Sequence, residues 1–255
     1  MNWLKVVSYV PLALLVAPVL FLVYEGLGPL RTASGYSPAI FQSIELSLLT
    51  SALAAVLCVV LFTPLAYYFS RNKNKVAETF SDLPASIPHP IIGIALLLLV
   101  SPVTPLGKIL LSIGFNLFDT VLGIVVALTI VSAPIYVKSM QPYFESMDIS
   151  HENYALGLGA SRFRTFVSVV VPNSGRGVLS ASLISMSRAL SEFGSLAILA
   201  YYVLGGYFNG VSPISVAIWQ GYSYLGLPFA VTASAVMILV SLALMVALRF
   251  VERKI

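Results

Sequence analysis

The chain alternates long apolar runs with short polar connections, and the run lengths are its strongest signal. A bilayer core takes about 20 apolar residues of helix. Residues 4–24, 46–68, 121–137 and 227–251 form runs of that order. Residues 83–100 are irregular, because Pro84, Pro88 and Pro90 precede an apolar stretch at 91–100 that is too short to span alone. That helix is expected to begin near Leu83 and to bend at its prolines. Such bends are tolerated only where the freed backbone groups face protein or a wet cavity. A further run at 177–204 carries polar residues within it. Six spans are predicted, in one all-α transmembrane unit covering 1–255. The first run is long for a signal peptide, and Glu25-Gly26-Leu27 offers no small-x-small cleavage site, so a retained helix is expected.

Charge tests this count. Six spans put both termini on one side, and that side then collects Lys5, Arg71, Lys73, Lys75, Lys138, Arg162, Arg164, Arg176, Arg249, Arg253 and Lys254. The other side holds Arg31 and Lys108, and Arg188 falls inside the fifth span. By the positive-inside rule both termini are expected in the cytoplasm. Adding or removing one span would scramble this asymmetry.

Composition agrees. Only 9% of residues are charged and 58% are hydrophobic, against about 25% charged in soluble domains. The +4 net charge is read as a topology signal, not as a nucleic-acid surface. Cys58 is the lone cysteine and can form no intrachain disulfide. His89 and His151 are far apart and lack cysteine companions, so no metal site is expected. Gly107-Lys108 is no P-loop, since Pro102 and Ile109 stand where Gly and Ser or Thr are required.

Candidate chemistry lies in two places. In the fifth span, Gly177, Ser180, Ser187, Ser191 and Ser195 share one helical face, and Arg188 and Glu192 can pair four residues apart. Two readings stay open: a hydrated path with Arg188 near the solute, or close helix packing with an ion-pair clamp. An Arg beside a Glu is not by itself a free anion site. The second place is the longest polar connection, 138–176. Asp148 or Ser150 can cap a helix there, with Glu152 in its first turn. Gly157 and Gly159 interrupt that helix, and Ser161 can cap another bearing Arg162 and Arg164. Pro172 suits an early helical position.

This loop resembles the "EAA" motif of binding-protein-dependent ABC importer permeases: Glu-Ala-Ala, three residues, Gly, nine residues, then Ile-x-Leu-Pro. Ala155 matches the second Ala, Gly159 the Gly, and Val169-Val170-Val171-Pro172 the end. Tyr154 replaces the first Ala, and Glu152 stands one position early. The resemblance implies a type I ABC importer permease (MetI-like) fold in the cell membrane. It implies that Glu152, Tyr154, Ala155, Gly157, Gly159, Ala160, Arg162, Arg164 and Pro172 form the coupling site for an ATPase, with Glu152, Arg162 and Arg164 as rim contacts. The string Ser187-Arg188-Ala189-Leu190-Ser191-Glu192-Phe193-Gly194, followed by Tyr201-Tyr202, is similar to the signature of molybdate, tungstate and sulfate permeases. The proline-rich segment from Pro84 to Gly93 resembles their third helix. His89, Ser187, Arg188, Ser191, Glu192, Phe193 and Gly194 are therefore expected along the translocation path. For His89 a backbone-bonded role in a strained turn is equally open.

The implied partners are two ATPase subunits, which bind ATP and Mg, an external binding protein, a second copy of the chain, and lipid. No cofactor is expected in this chain, and no catalytic residue. The rival class, an ion-coupled secondary transporter, would need an intramembrane ion site, for which only Arg188 and Glu192 offer themselves.

Overall fold

The structure, a computed structural model, describes the backbone of residues 2–254 and the side chains of residue 3 and residues 7–246. Lys5, Arg249, Arg253 and Lys254, used above for topology, lie outside the described side chains. Among the described residues there are helices and turns and no strand.

Four segments are long and apolar enough to cross a membrane. They are Val7–Leu27, within α1 (Asn2–Leu27); α2 (Pro38–Arg71); α7 (Val121–Ser146); and Leu227–Val246, within α14 (Leu227–Lys254). The expected third span is split into α4 (Leu83–Ser86) and α5 (His89–Leu99), preceded by α3 (Lys75–Ser81) and followed by α6 (Pro105–Ser112). The 138–176 connection carries α8 (Ser150–Gly157), α9 (Arg162–Thr165), a π-helical turn Phe166–Val170 and α10 (Val171–Asn173). The expected fifth span, read as one helix over 177–204, is instead α11 (Gly175–Leu190), a turn, and α12 (Leu196–Leu199). α13 (Ile214–Leu225) was not foreseen.

α2 and α7 pack along one another, and α11 lies against both. At 34 residues, α2 is about 51 Å long, well beyond the ~30 Å hydrocarbon core, so one end projects to meet the α8 loop. α1 leans on α14, and α13 wedges between α14 and α2. The central core joins Leu46 and Ala54 of α2, Ile92 and Leu96 of α5, and Ile124, Leu128 and Val131 of α7. A second cluster, with Phe69, Tyr136, Met140 and Phe144, lies toward the α8 loop. Several buried hydroxyls are satisfied within their own helices: Thr50, Thr63, Thr129 and Ser132 each donate to the carbonyl four residues back, at 2.5–2.7 Å. In a lipid-facing bundle this internal pairing removes the cost of an unmade hydrogen bond. α1 keeps Leu14, Leu15 and Phe21 exposed, as a lipid-facing helix should.

Candidate functional site

Two sites combine polar side chains with interrupted helices. The first lies where α5 begins and α11 ends. Pro88 and Pro90 flank His89 and set the start of α5. α11 ends at Leu190 for a local reason. Glu192 Oε1 accepts from Ser195 N–H at 2.9 Å and from Ser195 Oγ at 3.0 Å. The amide a continuing helix would give to the Ser191 carbonyl is thereby taken by a side chain.

The two breaks touch. A Cβ on Gly194 would lie 2.8 Å from Pro90 Cδ, and one on Gly93 would lie 2.6 Å from the Ser195 carbonyl oxygen. Glycine at both positions permits the approach, and His89 is thereby set onto the Arg188–Glu192 pair. Arg188 Nη2 lies 3.1 Å from Glu192 Oε2, and His89 Nδ1 lies 2.9 Å from the same oxygen. Arg188 Nη2 is also 2.7 Å from Nδ1 and 2.9 Å from Nε2 of His89. A guanidinium cannot accept, so a ring nitrogen must. The tautomer that satisfies both neighbours carries its proton on Nδ1, donates it to Glu192, and accepts from Arg188 at Nε2. Glu192 is 1% exposed, whereas Arg188 and His89 are 21% and 28% exposed. Its main-chain carbonyl accepts from Ser215 Oγ at 2.7 Å, which ties the break to α13. Phe193 packs on Trp219 of α13 at 5.9 Å, and Tyr201 meets the same ring at 6.2 Å.

The expected pairing of Arg188 with Glu192 is present, and His89 joins it. The polar stripe does not keep one environment. Gly177 is covered by the Tyr143 ring, and Ser195 is buried under Glu192. Ser180, Ser187 and Ser191 line an open cleft of about 700 Å³ between α11 and α14, opposite Met237 and Ser241.

The second site is the α8–α9 loop. Asp148 Oδ1 accepts from Ser150 N–H at 2.9 Å and so starts α8. This bond holds its carboxyl below the usual value. α8 ends at Gly157, and Gly159 has φ +88°, a left-handed conformation that favours glycine. Ser161 Oγ accepts from Arg164 N–H at 3.3 Å and caps α9. Pro172 sits in the first turn of α10.

Glu152 corrects the sequence reading, which placed it on the rim. It is buried, 6% exposed. Tyr67 donates to its Oε2 at 2.6 Å, and Arg71 pairs with its Oε1. Arg71 Nη1 also donates to the Phe144 carbonyl at 2.8 Å, near the end of α7. Burial works to raise the Glu152 carboxyl, but the hydrogen bonds from Arg71 and Tyr67 and the Arg71 charge outweigh it, and it lies below the ordinary value. Glu152 thus fastens α8 to the ends of α2 and α7. Tyr154, Leu158 and Phe163 point outward, 72%, 89% and 77% exposed. Arg162 and Arg164 are exposed beside them. Ala155 and Ala160 are half-buried.

Sequence reasoning did not find Arg71 or Tyr67 as partners of this loop. It also missed Asp119, which is buried, has φ +52°, and has an Oδ1 with no hydrogen-bond partner among the described residues. Burial pushes its carboxyl up, against backbone hydrogen bonds from Tyr202 and Tyr201. No group of three or more metal-ligating side chains occurs among the described residues.

Several apolar helices of membrane-crossing length, one of the other helices interrupted beside a polar cluster, mark a multi-pass membrane protein. The chain belongs to the family of binding-protein-dependent transport system inner membrane components, whose match spans residues 61–255. Among its relatives, the molybdate/tungstate transport system permease protein WtpB of Pyrococcus furiosus is 31% identical over 216 residues, covering 84% of this chain and 78% of the relative. The protein of the same name from Methanocaldococcus jannaschii is 30% identical over 217 residues, covering 84% and 82%. The sulfate transport system permease protein CysT of Synechocystis is 25% identical over 254 residues, covering 98% and 86%.

Proposed function

We propose that this chain is the permease subunit of an ABC importer for a tetrahedral oxyanion, tungstate or molybdate ahead of sulfate. Under this reading 1–255 act as one transmembrane unit. α1, α2, α4–α5, α7, α11–α12 and α14 make six crossings with both termini cytoplasmic. Two copies of the chain form the path, and an external binding protein delivers the anion. ATP and Mg are bound by two partner ATPase subunits, so the chain itself is not an enzyme.

The observation that carries the reading is the α8–α9 loop. It presents three exposed large side chains, Tyr154, Leu158 and Phe163, on a base held by a buried ion pair. An apolar face with charged neighbours is the pattern of a protein-docking surface. A rigid base lets a push on that face reach α2 and α7. Membership of a binding-protein-dependent family supports the same assignment. The oxyanion class comes from the relatives, and the order of preference from their identities.

The test is uptake of radiolabelled tungstate into proteoliposomes holding the permease, its ATPase and the binding protein. Molybdate and sulfate serve as competitors. Competition by molybdate at lower concentration than sulfate supports the assignment. Competition in the reverse order makes the chain a sulfate permease, the second reading, which the CysT relative favours.

A further inference from the structure

The Arg188–Glu192–His89 cluster divides its labour unevenly. Glu192 is 1% exposed and is held independently of Arg188. Ser195 N–H and Oγ occupy Oε1, and His89 Nδ1 serves Oε2. Were Arg188 to swing away, the carboxylate would keep these three hydrogen-bond partners and lose only its counter-charge.

Arg188 is 21% exposed and has donors to spare. A guanidinium carries five N–H donors. Nη2 serves Glu192 and His89, and one Nη1 hydrogen goes to Ser191 Oγ at 3.2 Å. Nε and the second Nη1 hydrogen have no hydrogen-bond partner among the described residues. Ser191, to which Arg188 is bonded, and Ser187 line the open cleft between α11 and α14.

Resting on the importer reading, we propose that Arg188 is a transit contact for the divalent oxyanion, with Glu192 as a fixed counter-charge that keeps the contact weak. A planar fork matches two oxygens of a tetrahedral anion. A bare arginine in a low-dielectric path would hold a dianion too well. Passage requires binding favourable enough to enter and weak enough to leave. The Glu192 oxygen 3.1 Å from Nη2 supplies that attenuation. Ser195 acts on the anion through Glu192, and His89 through Glu192 and Arg188, so both are positioning residues.

The experiment uses the assembled permease–ATPase complex. Equilibrium binding of labelled tungstate is measured without binding protein, and ATP hydrolysis and uptake are measured with it. Arg188→Lys keeps the charge but loses the fork, and tungstate binding should weaken about tenfold. Uptake should fall with binding in this variant. Glu192→Gln removes the counter-charge, and tungstate should bind about tenfold tighter while uptake slows because release is delayed. A structural clamp would give loss in both variants and no tightening in the second. Binding unchanged in both variants overturns the proposal. If Arg188→Lys fails to assemble, Glu192→Gln decides alone, and absence of tightening there overturns it. Lack of stimulated hydrolysis in the wild-type complex overturns the importer reading instead. The opposed binding shifts would then still support an anion contact at Arg188.

Discussion

Arg71, the last residue of α2, is ion-paired with Glu152 in the first turn of α8, 81 positions along the chain. The same guanidinium donates to the Phe144 carbonyl, so one side chain ties three elements. Breaking a buried pair by removing one partner costs about 3–5 kcal/mol. Here Arg71 is 18% exposed, so about 1–3 kcal/mol is expected. Glu152→Ala should loosen the loop, with faster proteolysis in 148–165 and coupled uptake reduced about tenfold or more, while the spans stay folded. The charge-swapped double variant Arg71→Glu, Glu152→Arg should recover part of the loss. Equal protease resistance in wild type and Glu152→Ala would count against the anchor.

The same pair sets a pH dependence. The Glu152 carboxyl lies below its ordinary value. A depressed carboxyl adds stability above its unfolded value, and that contribution is lost as pH falls through the folded value. Loop anchoring should therefore be constant from neutral pH to about pH 4, the ordinary glutamate range, and fail below it. Hydrogen exchange in 150–157, corrected for intrinsic rate, should report this opening in wild type. Glu152→Gln should be looser throughout and show no such step. Parallel profiles would mean the carboxylate is not the anchor.

Gly157 and Gly159 should respond differently to alanine. A Cβ at either position meets nothing within 4 Å. Gly157 is helical, so Gly157→Ala should gain up to about 1 kcal/mol of helix stability. Gly159 has φ +88°, and Gly159→Ala should cost about 1–2 kcal/mol through its backbone alone. Replacing Gly159 by a bulky residue is further predicted to uncouple ATP hydrolysis from transport with the membrane fold intact. Normal coupled uptake in that variant would remove Gly159 from the docking surface.

Gly93→Ala should damage the site from behind. Its Cβ would sit 2.6 Å from the Ser195 carbonyl and 3.0 Å from Ile198 Cβ, where backbone must move. Overpacking of this kind costs about 1–3 kcal/mol. α5 should retreat from the α11 break and carry His89 away from Glu192. Lower melting temperature together with lost uptake is the expected result. Wild-type values for both would show that the close approach is dispensable.

Most of the bundle was legible because apolar runs of membrane length have few alternatives. Helices starting at Val121 and Leu227 and the broken character of 83–100 appear in the structure, although α7 continues past 137 to Ser146. The fifth span was misread as continuous because its mean apolarity hides a local competition. The Glu192 carboxylate captures the Ser195 amide, and the result depends on His89 and Pro90 from another helix. α13 was invisible because Ile214–Leu225 is too short to register as a span. Glu152 was placed on the rim by the motif resemblance. Its burial depends on Arg71 and Tyr67, which no local pattern links to it. The pairing of Arg188 with Glu192 was readable because helical spacing alone sets it.

The central claim is that an ATPase docked on α8 and α9 drives transport through this chain. The most direct measurement is ATP hydrolysis in proteoliposomes holding the permease and its ATPase, with and without tungstate-loaded binding protein. Wild type should be stimulated several-fold, and Leu158→Asp, which places a charge on the most exposed apolar side chain of the loop, should lose both stimulation and ATPase co-purification. Uptake that follows an ion gradient without ATP, or full stimulation in Leu158→Asp, would contradict the account.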